Sequence, residues 1–188
     1  MQCADLVPFL TFVSEKPVLE HFNFCPSCGS NLISLDSEIR VHCDDCSFTL
    51  YSNPTCSAGA LIFDDAGRLL VVERANDPSK GKYGIPGGFT DLGERLEEVV
   101  IREAKEEVNL ALDSVTFFAS FPNTYRHRNV AYAVTDTYFL AKVASFDAIS
   151  PQESEVAGIQ FVDPKTVPQE QWAFDSLRQA IALLLSEQ

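Results

Sequence analysis

Apolar positions along the chain fall into two periods. TCSAGALIF (55–63) and RLLVVER (68–74) are apolar or β-branched runs separated by Asp64-Asp65-Ala66-Gly67, a turn sequence, and the pair predicts a hairpin. SVTFFASF (114–121), NVAYAVTDTYFLAKV (129–143) and VAGIQFVD (156–163) read as further strands. Leu96, Val99, Val100 and Ala104 recur at helical spacing and predict a helix over 95–108. A second amphipathic helix is predicted from Phe174 to Leu185. DPSKGKYGIPGG (77–88) carries two Pro and four Gly and reads as a loop. Strands interleaved with two long helices predict an α/β domain in which a mixed sheet lies between helices. Residues 21–52 have another texture: short runs rich in Cys and turn formers. The chain is therefore divided into an unassigned segment 1–20, a small module 21–52 and a main domain 53–188.

The first helix breaks its own pattern. At about 100° per residue, with Leu96 as the origin, Val100 falls at roughly 40°, Val99 at roughly 300° and Ala104 at roughly 80°, which makes one apolar stripe. Glu103 falls at roughly 340° and Glu107 at roughly 20°, inside that stripe, with Glu106 at its edge at roughly 280°. Burying carboxylates costs several kcal/mol each unless they are paired or bind metal. Glu106 and Glu107 also occupy the last turns, where the helix dipole disfavours negative charge. A hard divalent cation, which takes oxygen ligands, resolves both conflicts. The plain alternative is a solvated acidic face, and the angles alone leave both readings open.

Composition narrows the chemistry. The 188 residues carry 14 basic and 27 acidic side chains, a net charge of −13, which disfavours broad binding to nucleic acid or anionic membrane. No apolar run approaches the roughly 18 residues that a membrane span needs, so no membrane partner is expected. The opening MQCADLVPFLTFVSEKPV has no basic stretch ahead of its apolar residues and does not read as a secretory leader, so a cytoplasmic location is expected.

Six cysteines are present, and four of them form Cys25-Pro-Ser-Cys28 and Cys43-Asp-Asp-Cys46, separated by 14 residues. In a reducing compartment paired CxxC motifs read as metal knuckles rather than disulfides. Four thiolates bind Zn²⁺ tetrahedrally and leave no open position, so the expected zinc is structural. A redox pair or buried free thiols are the alternatives.

From Gly88 the chain runs five residues to Glu94, seven more to Arg102-Glu103, then Ala104-Lys105-Glu106-Glu107-Val108-Asn109-Leu110. This resembles the Nudix box, Gly-x5-Glu-x7-Arg-Glu-U-x-Glu-Glu-x-Gly-U, where U is a bulky aliphatic. Ala104 replaces one aliphatic and Asn109 replaces the glycine; Asn is the next-best residue for a left-handed position after a helix. The resemblance implies an α/β/α sandwich with a mixed sheet, here preceded by a small zinc ribbon. It implies Mg²⁺ or Mn²⁺ held by Glu103, Glu106, Glu107 and the Gly87 carbonyl, with Arg102 and Glu94 as a supporting ion pair. The implied activity is that of a pyrophosphohydrolase, in which water attacks a diphosphate linkage. Glu155, in PQESEVAG (151–158), is a candidate extra ligand or base; a solvated loop acid is the alternative.

A zinc ribbon ahead of a Nudix domain is similar to the NADH pyrophosphatase group. That group's Ser-Gln-Pro-Trp-Pro-Phe-Pro element is matched here only at Ser120 and Pro122, with Tyr125 as an aromatic stand-in, so NADH is not singled out. Phe121, Tyr125 and Arg126 form an aromatic and basic patch suited to stacking a base and holding a phosphate, and Arg74 is a further phosphate candidate. An ordinary strand end with surface charges is the alternative. The expected substrate is a nucleoside diphosphate derivative of the ADP-ribose, NADH or FAD type. A nucleotide-sensing regulator on the same fold and a zinc-ribbon protein processing RNA ends are the competing functions. The resemblance also implies a homodimer.

Overall fold

The computed structural model describes residues 16–187. Within the segment 1–20, residues 1–15 lie outside the described residues. By its internal contacts the chain separates into two units, one holding the residues up to Ser52 together with Arg128–Ala131, the other Asn53–His127 and Tyr132 onward.

In the first unit, β1 (Lys16–Pro17) pairs in parallel with Val130 and Ala131, and a single 3-10 turn (Val18–His21) buries Leu19. Then β2 (Ile33–Ser37), β3 (Arg40–Cys43) and β4 (Thr49–Tyr51) form an antiparallel three-stranded sheet. Its apolar interior is small, with Cys25, Val41 and Cys43 among its buried side chains. A unit this short buries too little apolar surface to be stable on that alone.

The second unit contains β5 (Thr55–Ile62), β6 (Leu69–Arg74), β7 (Tyr83–Gly84), β8 (Gly87–Phe89), α1 (Leu96–Val108), β9 (Ser114–His127), β10 (Val130–Lys142), β11 (Val156–Val162) and α2 (Asp175–Ser186), with β10 entering it from Tyr132. β10 pairs in parallel with β5, β5 pairs antiparallel with β8, and β9 pairs with β10, so this sheet is mixed. A second sheet, β11–β6–β7, is antiparallel. Alternate residues of β5 and β6 point to opposite layers, as the two-residue strand period requires. Ala58, Ala60, Ile62, Leu70 and Val72 pack with Val99, Val100 and Val108 of α1. Leu61, Leu69 and Val71 pack with Leu177, Ala180 and Ile181 of α2. Each fully buried aliphatic side chain contributes about 1.5–3 kcal/mol. The result is the expected α/β/α sandwich.

Two expectations are corrected. The runs 55–63 and 68–74 turn back on each other, with Asp64 N–H donating to the Arg68 carbonyl at 3.0 Å and one antiparallel bridge between Phe63 and Leu69, but the pairing ends there and β5 and β6 lie in separate sheets. β5 already has β10 on one edge and β8 on the other, so β6 is left to pair with β11 and β7. The predicted loop 77–88 contains β7 and the start of β8. Its glycines are what allow backbone to enter there: a Cβ on Gly87 would lie 2.4 Å from the Ala58 carbonyl oxygen.

Candidate active site

The helix α1 delivers its acids as the angles predict. Glu103 and Glu107 are each 8% exposed, within the same face as Val99, Val100 and Ala104, while Glu106 is exposed. The helix starts where the Glu98 carboxylate accepts the Arg95 N–H at 2.9 Å. It stops at Asn109, in the left-handed conformation (φ 54°), with its side-chain amide donating to the Ala148 carbonyl at 2.8 Å. That side-chain bond is one that the usual glycine lacks.

Two glycines make room for the acids. A Cβ on Gly88 would sit 2.1 Å from Glu103 Oε1, so a side chain there would displace that carboxylate from this position. The Gly87 N–H donates to Glu107 Oε2 at 3.1 Å. Arg102 organises the rest. Its Nε and Nη2 fork onto Glu94 at 2.8 and 3.0 Å, its Nη1 donates to Glu103 Oε1 at 2.6 Å and Glu106 Oε2 at 3.2 Å, and Nη2 also donates to the Phe89 carbonyl at 3.1 Å. This fork holds the Glu94 carboxyl below its ordinary value, with help from the Asp91 N–H.

Glu103, Glu107 and Glu155 line one cavity of about 320 Å³. Burial is the largest influence on both helix acids. It raises the Glu103 carboxyl against the opposing Arg102 hydrogen bond. It pushes Glu107 up to about 8, against the Gly87 N–H and reinforced by the charges of Glu103 and Glu155. The donor set suits a hard divalent cation, which uses one or two carboxylates and otherwise keeps water or phosphate oxygens.

The other candidates divide. Arg74 and Tyr125 line the cavity, and the Arg74 guanidinium lies 5.1 Å from the centre of the Phe174 ring. Arg102, Glu94 and Glu106 are not among the lining residues, and Glu106 is exposed. Phe121 packs into the α2-side core, tilted against Tyr138, and Arg126 is exposed and outside the lining. Arg126 follows Tyr125 directly on β9 and points to the opposite face, while Phe121 shares the face of Tyr125 but lies about 13 Å further back along the strand. Two lining residues escape a reading of the sequence. Phe174 reads as the first residue of a helix but sits just before α2, in extended conformation, with its ring 6.3 Å from Tyr125. Asp136 carries a detectable signal, because an Asp between the strand's buried Val134 and Tyr138 breaks the apolar side of the alternation.

In the first unit, Cys25, Cys28, Cys43 and Cys46 bring their sulfurs within 4.8 Å of one another. The Cys25–Cys46 and Cys28–Cys43 separations are both 3.7 Å, too long for S–S bonds. A tetrahedron with Zn–S distances of about 2.3 Å has edges of roughly 3.8 Å, so the donor set fits Zn²⁺. Backbone fixes these positions twice over. Cys25 N–H donates to the Ser30 carbonyl at 2.8 Å and Gly29 N–H returns to Cys25 at 2.9 Å; Cys43, Phe48 and Ser47 repeat the pattern at 2.9 Å each. Gly29 and Ser47 occupy the equivalent left-handed positions. Against burial, the N–H groups of Cys28 and Ser27 lower the Cys25 thiol to about 7.

Among the described residues, no helix is long and apolar enough to cross a membrane. The chain is 29% identical over 147 residues to an NAD-capped RNA hydrolase of Chromobacterium violaceum, covering 77% of this chain and 51% of that protein. It is 41% identical over 63 residues to an ADP-ribose pyrophosphatase of Methanocaldococcus jannaschii, covering 34% and 37%. The chain thus spans about half the length of the NAD-capped RNA hydrolases it matches, and about a third of the ADP-ribose pyrophosphatase. A crystal structure of a NUDIX hydrolase from Nitrosomonas europaea superposes with a TM-score of 0.65 at 24% identity, covering 88% of this chain and 91% of that one. The NUDIX domain model matches residues 54–184, and the chain belongs to that family.

Proposed function

We propose that the chain hydrolyses the diphosphate linkage of a nucleoside diphosphate derivative, of the ADP-ribose, NADH or FAD type, and that a Zn²⁺ ion held by Cys25, Cys28, Cys43 and Cys46 serves structure alone. The observation that carries the reading is the pair of buried acids, Glu103 and Glu107, facing a cavity that also presents a guanidinium and aromatic rings. Mg²⁺ or Mn²⁺ bound by Glu103, Glu107, Glu106 and the Gly87 carbonyl would supply Lewis-acid polarisation of the phosphoryl oxygens. Arg102 holds Glu103 and Glu106 on one side of α1 and is itself held by Glu94. Arg74 offers a cation to a phosphate oxygen while its plane rests near Phe174. Tyr125 and Phe174 offer faces against which a base stacks. Glu155, which lines the cavity, would accept a proton from the attacking water.

The similarity to an NAD-capped RNA hydrolase and to an ADP-ribose pyrophosphatase supports this substrate class, since NAD and ADP-ribose are both nucleoside diphosphate derivatives. It also favours one second reading, in which the same linkage is cleaved at an RNA 5′ end. The net charge of −13 favours the free nucleotide. The test is a substrate panel of ADP-ribose, NADH, FAD and NAD-capped RNA with Mg²⁺ or Mn²⁺, followed by chromatography of products. Release of a nucleoside monophosphate from a small substrate is expected. Cleavage of the capped RNA alone moves the assignment to the second reading, and no cleavage of any member by folded, metal-replete protein overturns the proposal.

A further inference from the structure

Asp136 lies on β10 directly across from Ser57 of β5, and both line the cavity. It is only 9% exposed, and hydroxyl groups hold both of its oxygens. Oδ1 accepts the Ser57 hydroxyl and Oδ2 accepts the Ser176 hydroxyl. A carboxylate only accepts, so both serine protons are committed to it. With its proton spent, Ser176 Oγ can only accept from its next neighbour, and the Tyr138 hydroxyl donates to it at 2.8 Å. Every proton in this network therefore points inward along the chain Tyr138–Ser176–Asp136–Ser57. What remains is lone pairs: a carboxylate has about four acceptor sites, and two are used. The neighbouring hydroxyl oxygens have acceptor capacity and nothing to give.

We propose that Asp136 is a specificity-determining residue that accepts hydrogen bonds from the donor groups of the nucleoside, and so sets which end of the substrate enters this part of the cavity. The inference rests on the functional reading above. A phosphate brings only acceptors and negative charge to a wall of lone pairs and is repelled there. A ribose diol or an exocyclic amino group brings donors, and each bond to a buried carboxylate is of the charge-assisted kind. The chain's carboxylates then have two distinct tasks: those on α1 serve the diphosphate, and the one on β10 reads the nucleoside.

Calorimetric titration of AMP, IMP and 2′,3′-dideoxy-AMP into the wild-type chain and into Asp136→Asn tests this. AMP is expected to bind wild type roughly tenfold or more tightly than the analogue missing the recognised donor, a factor typical of a hydrogen bond to a charged group. Weakening with IMP assigns the amino group; weakening with the dideoxy nucleotide assigns the ribose. In Asp136→Asn the discrimination should disappear while the affinity for the poorer analogue stays near its wild-type value. A purely structural role predicts that all three ligands weaken by one common factor, which overturns the proposal. Equal wild-type affinity for all three overturns it too, and that comparison needs no variant, so it decides the matter even if Asp136→Asn does not fold. Turnover of the substrate panel without such discrimination removes this inference alone; absence of both turnover and nucleotide binding removes the functional reading with it.

Discussion

The ribbon and the cleft both gather anionic ligands, and they do it by opposite means. In the ribbon, four sulfurs converge to within 4.8 Å because each CxxC pair is wound on its own hydrogen-bonded turn. In the cleft, the acids hang from a helix and a loop, with Glu106 turned toward Arg102 while Glu103, Glu107 and Glu155 face the cavity. In the first, four thiolates closed around one ion would leave no position for a substrate. In the second, Arg102 bonds Glu103 and Glu106, and burial disfavours the charge on Glu103 and Glu107, so the set would be satisfied only with a cation and a phosphate oxygen present. A site that is energetically satisfied by the metal alone stabilises; one that is satisfied only by metal and ligand together can turn over.

The sharpest way to break that contrast is to remove zinc. Cys43→Ser, or chelation of the wild type, should release the ion and with it on the order of 10 kcal/mol of folding free energy for the ribbon. Hydrogen exchange should show protection lost across residues 21–52 while the helices Leu96–Val108 and Asp175–Ser186 keep theirs. Retained protection in the ribbon would show that the four thiols are not its main support. In the cleft the opposite is expected. Glu103→Gln should abolish turnover yet leave the metal-free protein at least as stable, because it removes a buried charge; a drop in thermal midpoint would contradict this. Glu106→Gln should also abolish turnover without unfolding the chain, and full activity in that variant would mean the assigned metal site is wrong.

Arg102→Lys comes next. A lysine cannot fork onto Glu94 and reach Glu103 and Glu106 at once, and loss of such a supporting contact lowers metal affinity or activity by about 10–100-fold. Metal titration at fixed substrate reads it directly. The smallest effect is on pH. Arg102 holds Glu94 below its ordinary carboxyl value of 4.5, so their ion pair stabilises the fold above that pH and is lost as pH falls through the lowered value. Glu94→Gln should therefore flatten the decline of the urea midpoint between about pH 5 and 3; an unchanged slope would place that acid sensitivity elsewhere.

Much of the cleft is legible because α1 violates a rule in one dimension. A carboxylate inside an apolar stripe is visible from spacing alone, and Glu103 and Glu107 are buried where the angles put them. Asn109 is legible for the same local reason, as a residue able to take the left-handed turn. What sequence does not supply is pairing. Which edge of β5 is free depends on β8 and β10, which arrive from later in the chain, so proximity along the chain points to the wrong partner. The aromatic patch fails similarly: Phe121 and Tyr125 are close in sequence, but one packs in the core and the other lines the cavity, where it meets Phe174 from the far end of the chain. Asp136 is visible as a misfit within a strand, although its hydroxyl partners come from β5 and α2.

The naked backbone at Gly87 and Gly88 has a consequence for how this cleft diversifies. A side chain at Gly87 would collide with the Ala58 backbone and one at Gly88 would displace the Glu103 carboxylate, so substitution at this edge of the cavity is costly. The rest of the lining includes Asn123, Tyr125, Asp136 and Phe174, positions that already carry side chains, with Tyr125 packed edge-on against Phe89. Under the proposed function, new ligand preferences would therefore arise by changing those side chains while the acids of α1 stay as they are.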